Sequence, residues 1–96
     1  MEFDLEAVKV INNTEAHQFE AYVVGYLAVL TYLREGNKII FDHTGVPDPL
    51  SGKGLAAKLV HTGLEYARSE RLQVVPLCPY VSLYIEKHPE YRDLVS

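Results

Sequence analysis

The sequence lacks tryptophan and has only one cysteine, one methionine and few basic side chains. A single cysteine excludes an internal disulfide framework and a cysteine-based zinc site, and the histidines show no metal-ligand spacing. Nine lysines and arginines against thirteen aspartates and glutamates give a net charge of −4, which disfavours general binding to nucleic acid. Runs without a charged residue, such as residues 21–33, are too short to cross a bilayer. We therefore predict no metal site, no nucleic-acid partner and no membrane partner.

The composition indicates a globular protein, since 48% of the 96 residues are apolar and 23% are charged. A chain of this length can bury one core but not two, so we predict a single domain over residues 1–96. The first ten residues are acidic and mixed, without the basic and apolar regions of a secretory signal peptide. We predict a cytoplasmic location, and the oligomeric state stays open.

The first half of the chain has the periodicity of β-strands. Apolar and polar residues alternate in residues 18–24, where Phe19, Ala21 and Val23 share one face. Residues typical of turns lie before this segment at 12–14 and after it at 35–37. These features predict an antiparallel meander of about four strands at residues 7–11, 18–24, 26–34 and 38–46.

The period changes to that of a helix in the second half. Apolar residues recur at helical spacing from Leu55 to Ala67, and Ser51 is the expected N-cap of this helix. We predict a central buried strand at residues 72–77 and a short helix at residues 81–88. Residues 89–95 should add a turn or two. The order β-β-β-β-α-β-α predicts an α+β domain with a crossover helix.

A loop containing Gly52 and Gly54 joins the fourth strand to the long helix. Glycines allow a ligand to approach the backbone, and the free amides of a first helical turn form an anion site suited to phosphate. Lys53 and Lys58 would add positive charge at its rim. The other interpretation is an ordinary tight turn with a helix cap. The spacing matches neither a P-loop nor a good dinucleotide-binding fingerprint.

Three side chains near this loop are candidates for chemistry. Cys78 lies between a strand and a helix, where a thiol can have a lowered pKa and act as a nucleophile, or it is a small buried apolar residue. His43 ends the strand that leads to the glycine loop, where it could face the same site as a general base or serve a structural role. Tyr84 lies in the last helix, close to Cys78 if that helix forms, or it packs in the core.

These segments, in this order, resemble a compact subfamily of the GNAT acetyltransferases. The matching segments are Phe41–Pro47, Gly52–Ala56, Val75–Val81, Tyr84–Ile85 and His88–Tyr91. The resemblance spans residues 38–95 and implies a GNAT-like fold. It also implies transfer of an acetyl group from acetyl-CoA to an amine, such as a protein lysine, a polyamine or another small amine.

The resemblance also implies a role for each candidate residue. Backbone amides of the glycine loop and the helix start would hold the CoA pyrophosphate, and the preceding strand would pair with the pantetheine. Cys78 would lie near the thioester, Tyr84 would protonate the departing thiolate, and His43 is the candidate base. The implied cofactor-binding residues are Gly45, Val46, Ser51, Gly52, Lys53, Gly54, Leu55, Ala56, Ala57 and Cys78.

Two positions depart from the family pattern. Ser51 stands where an arginine or glutamine is usual, which should weaken CoA binding. Gly45 stands where the subfamily usually has a glutamate; if that glutamate serves as a base or binds a cationic acceptor, its function is lost here or passes to His43. Two alternatives therefore stay open: a CoA-binding regulatory module with little turnover, and a thiol-based redox or interaction protein. The short chain also implies an open acceptor site, or one completed by a partner.

Overall fold

The computed structural model describes residues 2–95, which form a five-stranded sheet and two α-helices. The strands are β1 (Val10–Asn13), β2 (Gln18–Val23), β3 (Tyr26–Glu35), β4 (Lys38–Gly45) and β5 (Gln73–Pro76). The helices are α1 (Leu55–Ser69) and α2 (Pro79–Lys87). Short 3-10 helices cover Leu5–Ala7, Asp48–Leu50 and Pro89–Leu94.

The strands lie in the order β1-β2-β3-β4-β5. The first four pair antiparallel, and α1 crosses over to β5, which pairs parallel with β4. The predicted α+β meander with a crossover helix is confirmed. The expectation of a central fifth strand was wrong, because within residues 2–95 β5 pairs with β4 alone, apart from one isolated bridge between Val74 and Val95.

The start of the chain differs from the prediction. Ala7 belongs to a 3-10 helix, and β1 begins later, at Val10. The two asparagines expected in a turn lie within β1, where Asn12 accepts a hydrogen bond from the Tyr32 hydroxyl at 2.7 Å and Asn13 pairs with Gln18. These contacts with later strands outweigh the local turn preference of asparagine.

The helices pack against one face of the sheet and against each other. Gly63 of α1 lies so close to β3 and β4 that a β-carbon there would be 2.9 Å from Leu30 and 3.1 Å from Phe41. The apolar side of α1 is buried there, as its period predicts. It comprises Leu55, Leu59, Val60, Gly63, Leu64 and Ala67.

The other face of the sheet leaves large side chains exposed, including Ile11, Tyr22 and Leu33.

The second helix begins at Pro79, two residues earlier than predicted, since proline is favoured at the first helical position. Within residues 2–95, no helix combines the length and the apolar character needed to cross a membrane.

Candidate functional site

β4 and β5 separate after a short paired region. They pair from Lys38 with Gln73 to Phe41 with Pro76, and the Cys78 amide then donates a hydrogen bond to the Phe41 carbonyl at 2.9 Å. Beyond Phe41, β4 continues to Gly45, and no described residue pairs with it as a strand on this side. The gap between this free edge and the start of α2 can accept an extended ligand by backbone pairing.

The start of α1 lies next to the end of β4. Gly52 and Gly54 have φ angles of 74° and 89°, in the left-handed region that glycine tolerates best. Gly54 is the N-cap and offers no side chain, so the first-turn amides of α1 are not capped. The prediction that Ser51 is the N-cap was wrong, because its hydroxyl donates to the Asp48 carbonyl at 2.8 Å. The first turn of α1 contains no acidic residue, so its positive end is available to an anion.

A cleft of about 310 Å³ opens beside this helix start. Its small side chains and free amides fit a phosphate-bearing chain that lies close to the backbone. The cleft is lined by Val46, Leu50, Ser51, Gly52, Gly54, Leu55, Ala56, Ala57 and Tyr80. Most of the predicted cofactor residues are therefore brought together.

Some predicted residues lie outside that lining, and two lining residues were not predicted. Gly45, Lys53 and Cys78 do not line the cleft. Lys58 does not line the cleft either, and its ammonium donates to the Leu5 carbonyl at 2.6 Å. Leu50 and Tyr80 were missed. Tyr80 could have been identified from its position one helical turn before Tyr84.

Tyr84 lines a second cleft, of about 240 Å³, which shares Ala57 and Tyr80 with the first. Its ring stacks on His88 with 3.9 Å between centroids. Burial raises the pKa of Tyr84, and the nearby Glu90 carboxylate raises it further, so the hydroxyl stays protonated at neutral pH. Tyr84 makes no hydrogen bond with Cys78 among the described contacts.

Cys78 combines burial with a polar contact. Only 6% of its surface is exposed, and its Sγ lies 3.3 Å from the Thr44 hydroxyl. Burial acts to raise the pKa of the thiol, but the Thr44 hydroxyl and the amides of Val81 and Tyr80 outweigh it, and the pKa falls below its usual value. These two amides make no cap hydrogen bond of standard geometry, so their effect is electrostatic.

His43 lies on the opposite face of β4 from Cys78. Thr44 pairs with the buried Leu30 and contacts Cys78, whereas His43 pairs with Thr31. Successive side chains point to opposite faces of a strand, so the expectation that His43 faces the same site as the glycine loop was wrong. Its Nε2 lies 3.2 Å from the place that a β-carbon at Gly45 would take. The imidazole thus occupies space beside that glycine.

Comparison with known proteins gives one consistent result. A family model described as GCN5-related N-acetyl-transferase matches residues 18–94. Protein NATD1 of mouse is 31% identical over 85 residues, covering 85% of this chain and 77% of the relative. The human protein of the same name is also 31% identical over 85 residues, covering 85% and 75%.

A solved structure supports the same assignment. It is the solution NMR structure of a GCN5-like candidate N-acetyltransferase from Staphylococcus aureus. The two chains are 30% identical with a TM-score of 0.73, and the match covers 92% of this chain and 87% of the other. This protein belongs to the GCN5-related N-acetyltransferase family, and its class of activity is acetyl transfer.

Proposed function

We propose that this acetyltransferase binds acetyl-CoA at the start of α1 and along the free edge of β4, and acetylates an amine. The observation that carries the proposal is the uncapped start of α1, where the glycine loop forms one wall of a cleft next to the β4–β5 gap. Acetyl-CoA supplies the acetyl group as an activated thioester.

The residues of the cleft fit a pyrophosphate. Gly52 and Gly54 leave the backbone accessible, and the first-turn amides of α1 would donate to the phosphate oxygens. Ser51 contributes less, because its hydroxyl is already bonded to Asp48. Binding therefore depends on backbone amides and the helix dipole rather than on an arginine.

The free edge of β4 fits the pantetheine arm. The Phe41 carbonyl points toward this gap, where it accepts from the Cys78 amide, and the direction of the backbone groups alternates from one paired residue of β4 to the next, through His43 to Thr44. Thr44 and Val46 would therefore present their amides to the gap, whereas Gly45 faces its partner Val29 in β3. The role of Gly45 would be to leave space rather than to donate a hydrogen bond.

The two faces of the sheet suggest how the chemistry is divided. On the open face, His43 would accept the proton from the attacking amine, since an amine must be neutral to act as a nucleophile. On the helix side, Tyr84 would donate its proton to the thiolate that the reaction releases. Cys78 lies at the gap with a lowered pKa, and a route through its thiol is the alternative.

Calorimetric titration with acetyl-CoA tests the binding step. We expect micromolar binding to the parent protein and at least tenfold weaker binding to Ala56→Glu, which places a carboxylate in the cleft at a helical position that favours acidic residues. Gln73→Glu makes the same charge change on an exposed residue of β5 and should bind normally. Absence of binding to the folded parent would overturn the proposal.

Release of CoA in the presence of amines tests the transfer step. We expect turnover by the parent and, for His43→Gln, a rate lower by about a hundredfold or more at neutral pH, the usual size of a general-base effect. If acetyl-CoA binds but no amine raises CoA release above hydrolysis, the protein is a CoA-binding regulatory module instead. Gly45 in place of the family's glutamate is the observation that favours this alternative.

A further inference from the structure

Glu20 is the one charged residue in the described part of the chain that is fully buried, with 6% of its surface exposed. The side-chain amides of Asn13 and Gln18 both donate to its Oε2, the first at 3.1 Å. Within residues 2–95, Oε1 accepts no side-chain hydrogen bond and no cationic side chain pairs with Glu20. No side-chain oxygen of the described residues is both buried and without a hydrogen-bond partner, so Oε1 reaches the solvent, where it is available to a cationic ligand.

Glu20 lines a cleft of about 460 Å³ at the β1–β2 edge of the sheet. Among the described residues of the lining, Asp4 adds a second carboxylate and Lys9 is the one cationic side chain. The walls are mainly apolar and include the exposed ring of Tyr22, whose face can attract an ammonium group. Apolar walls with a fixed carboxylate and a net negative charge fit an alkylammonium ligand.

The position of Glu20 relates this cleft to the proposed acetyl-transfer site. Strand pairing places Ile11, Glu20, Val29 and Gly45 in one row across four strands. Glu20 and Gly45 are two strands apart, which corresponds to about 10 Å at the usual strand spacing. Both positions belong to the face of the sheet that carries His43, opposite the helices.

We infer that Glu20 holds the second cationic group of the acceptor, and that the acceptor is a straight-chain diamine or polyamine. One amine would lie beside His43 and Gly45, and the alkyl chain would follow the row across Val29 to an ammonium group at Glu20. This inference rests on the proposed function, because it names the acceptor for that same reaction.

Binding of spermidine without acetyl-CoA, followed by NMR chemical shifts, tests the anchor independently of turnover. We expect shifts around Glu20 and Tyr22, and at least tenfold weaker binding to Glu20→Gln, which keeps the shape and can still accept from Asn13 and Gln18. Glu35→Gln removes the same charge from the exposed end of β3 and should bind like the parent. Equal binding to all three proteins would overturn the inference.

Acetylation rates test the link to catalysis. We expect kcat/KM for spermidine to exceed that for butylamine by tenfold or more, Glu20→Gln to bring the ratio of the two close to one, and the control Glu35→Gln to keep the ratio of the parent. Equal rates for both amines in the parent would refute the inference and leave the proposed function standing. No turnover with any amine, together with Glu20-dependent spermidine binding, would refute the transfer reaction and retain the anchor as a binding site.

Discussion

At the scale of single residues, the environment of Cys78 differs from that of a structural cysteine. Burial alone would raise the pKa of its thiol and keep it inert. The Thr44 hydroxyl at 3.3 Å and the amides of the first turn of α2 reverse that effect. Because the thiol borders the β4–β5 gap, the same contacts would set its reactivity during turnover.

Thr44→Val should raise the pKa of Cys78, because it removes the hydroxyl and keeps the side-chain volume. We expect slower alkylation by iodoacetamide at neutral pH. The midpoint of a titration followed by thiolate absorbance should move to higher pH. The lowered folded-state pKa means that the thiolate stabilises the native protein above the unfolded-state pKa, and that this contribution disappears as the pH falls through the folded-state pKa. Thr44→Val should therefore lose most stability above the unfolded-state pKa, and progressively less as the pH falls through the folded-state pKa.

Thr31→Val is the matched control for this prediction. It removes a threonine hydroxyl from the neighbouring strand, but that hydroxyl bonds to Asp42 at 2.6 Å on the other face of the sheet. Alkylation of Cys78 should be unchanged. Equal pH profiles for the parent and Thr44→Val would show that Thr44 does not control the thiol.

At the scale of elements, the two loop glycines have different neighbours. A β-carbon at Gly54 would lie 2.9 Å from Leu5 Cδ2, whereas one at Gly52 would meet no atom within 4 Å. Leu5 belongs to the 3-10 helix whose carbonyl also accepts from Lys58. The N-terminal segment is thus fixed against the start of α1, and Gly54 is the point of closest approach.

Gly52→Ala should lower the free energy of unfolding by about 1–2 kcal/mol, because the left-handed backbone conformation is unfavourable for a residue with a β-carbon. Gly54→Ala should cost more, since it adds contact with Leu5 to a similar backbone penalty. Urea denaturation of both variants measures the difference. Combining Gly54→Ala with Leu5→Ala should cost less than the two single changes added together. Strict additivity would show that the contact with Leu5 is not the cause.

The elements also show how far sequence patterns extend. Periodicity predicts the type and order of the strands and of α1, because burial of one face determines both. It does not predict the direction of His43, since a register shift between Thr31 and Tyr32 places Asp42 at a bulge and reverses the alternation after Phe41. Nor does it predict the cap at Gly54 or the burial of Glu20, which depend on contacts with distant segments.

At the scale of the whole molecule, the buried apolar side chains form one cluster that includes residues from both ends of the fold. Phe19 of β2 and Leu94 of the last 3-10 helix belong to it. The C-terminal segment is also fixed to α1 by Tyr91, whose hydroxyl donates to Glu65 at 2.6 Å and lies 3.0 Å from His61 Nδ1. A single cluster predicts that the sheet and the C-terminal segment unfold together.

Tyr91→Phe tests this cooperativity. Burial raises the pKa of Tyr91, and so does its hydrogen bond to Glu65, so the hydroxyl stays a proton donor over the neutral range. Its removal should cost about 1.5–3 kcal/mol, the usual range for a hydrogen bond with a charged partner. The loss should appear as one shifted transition with an unchanged urea m-value. Tyr22→Phe, at a residue 65% exposed, should change nothing. A separate early transition in Tyr91→Phe would mean that the C-terminal segment unfolds independently. In that case α2, which carries Tyr84, would not be held rigidly beside the β4–β5 gap.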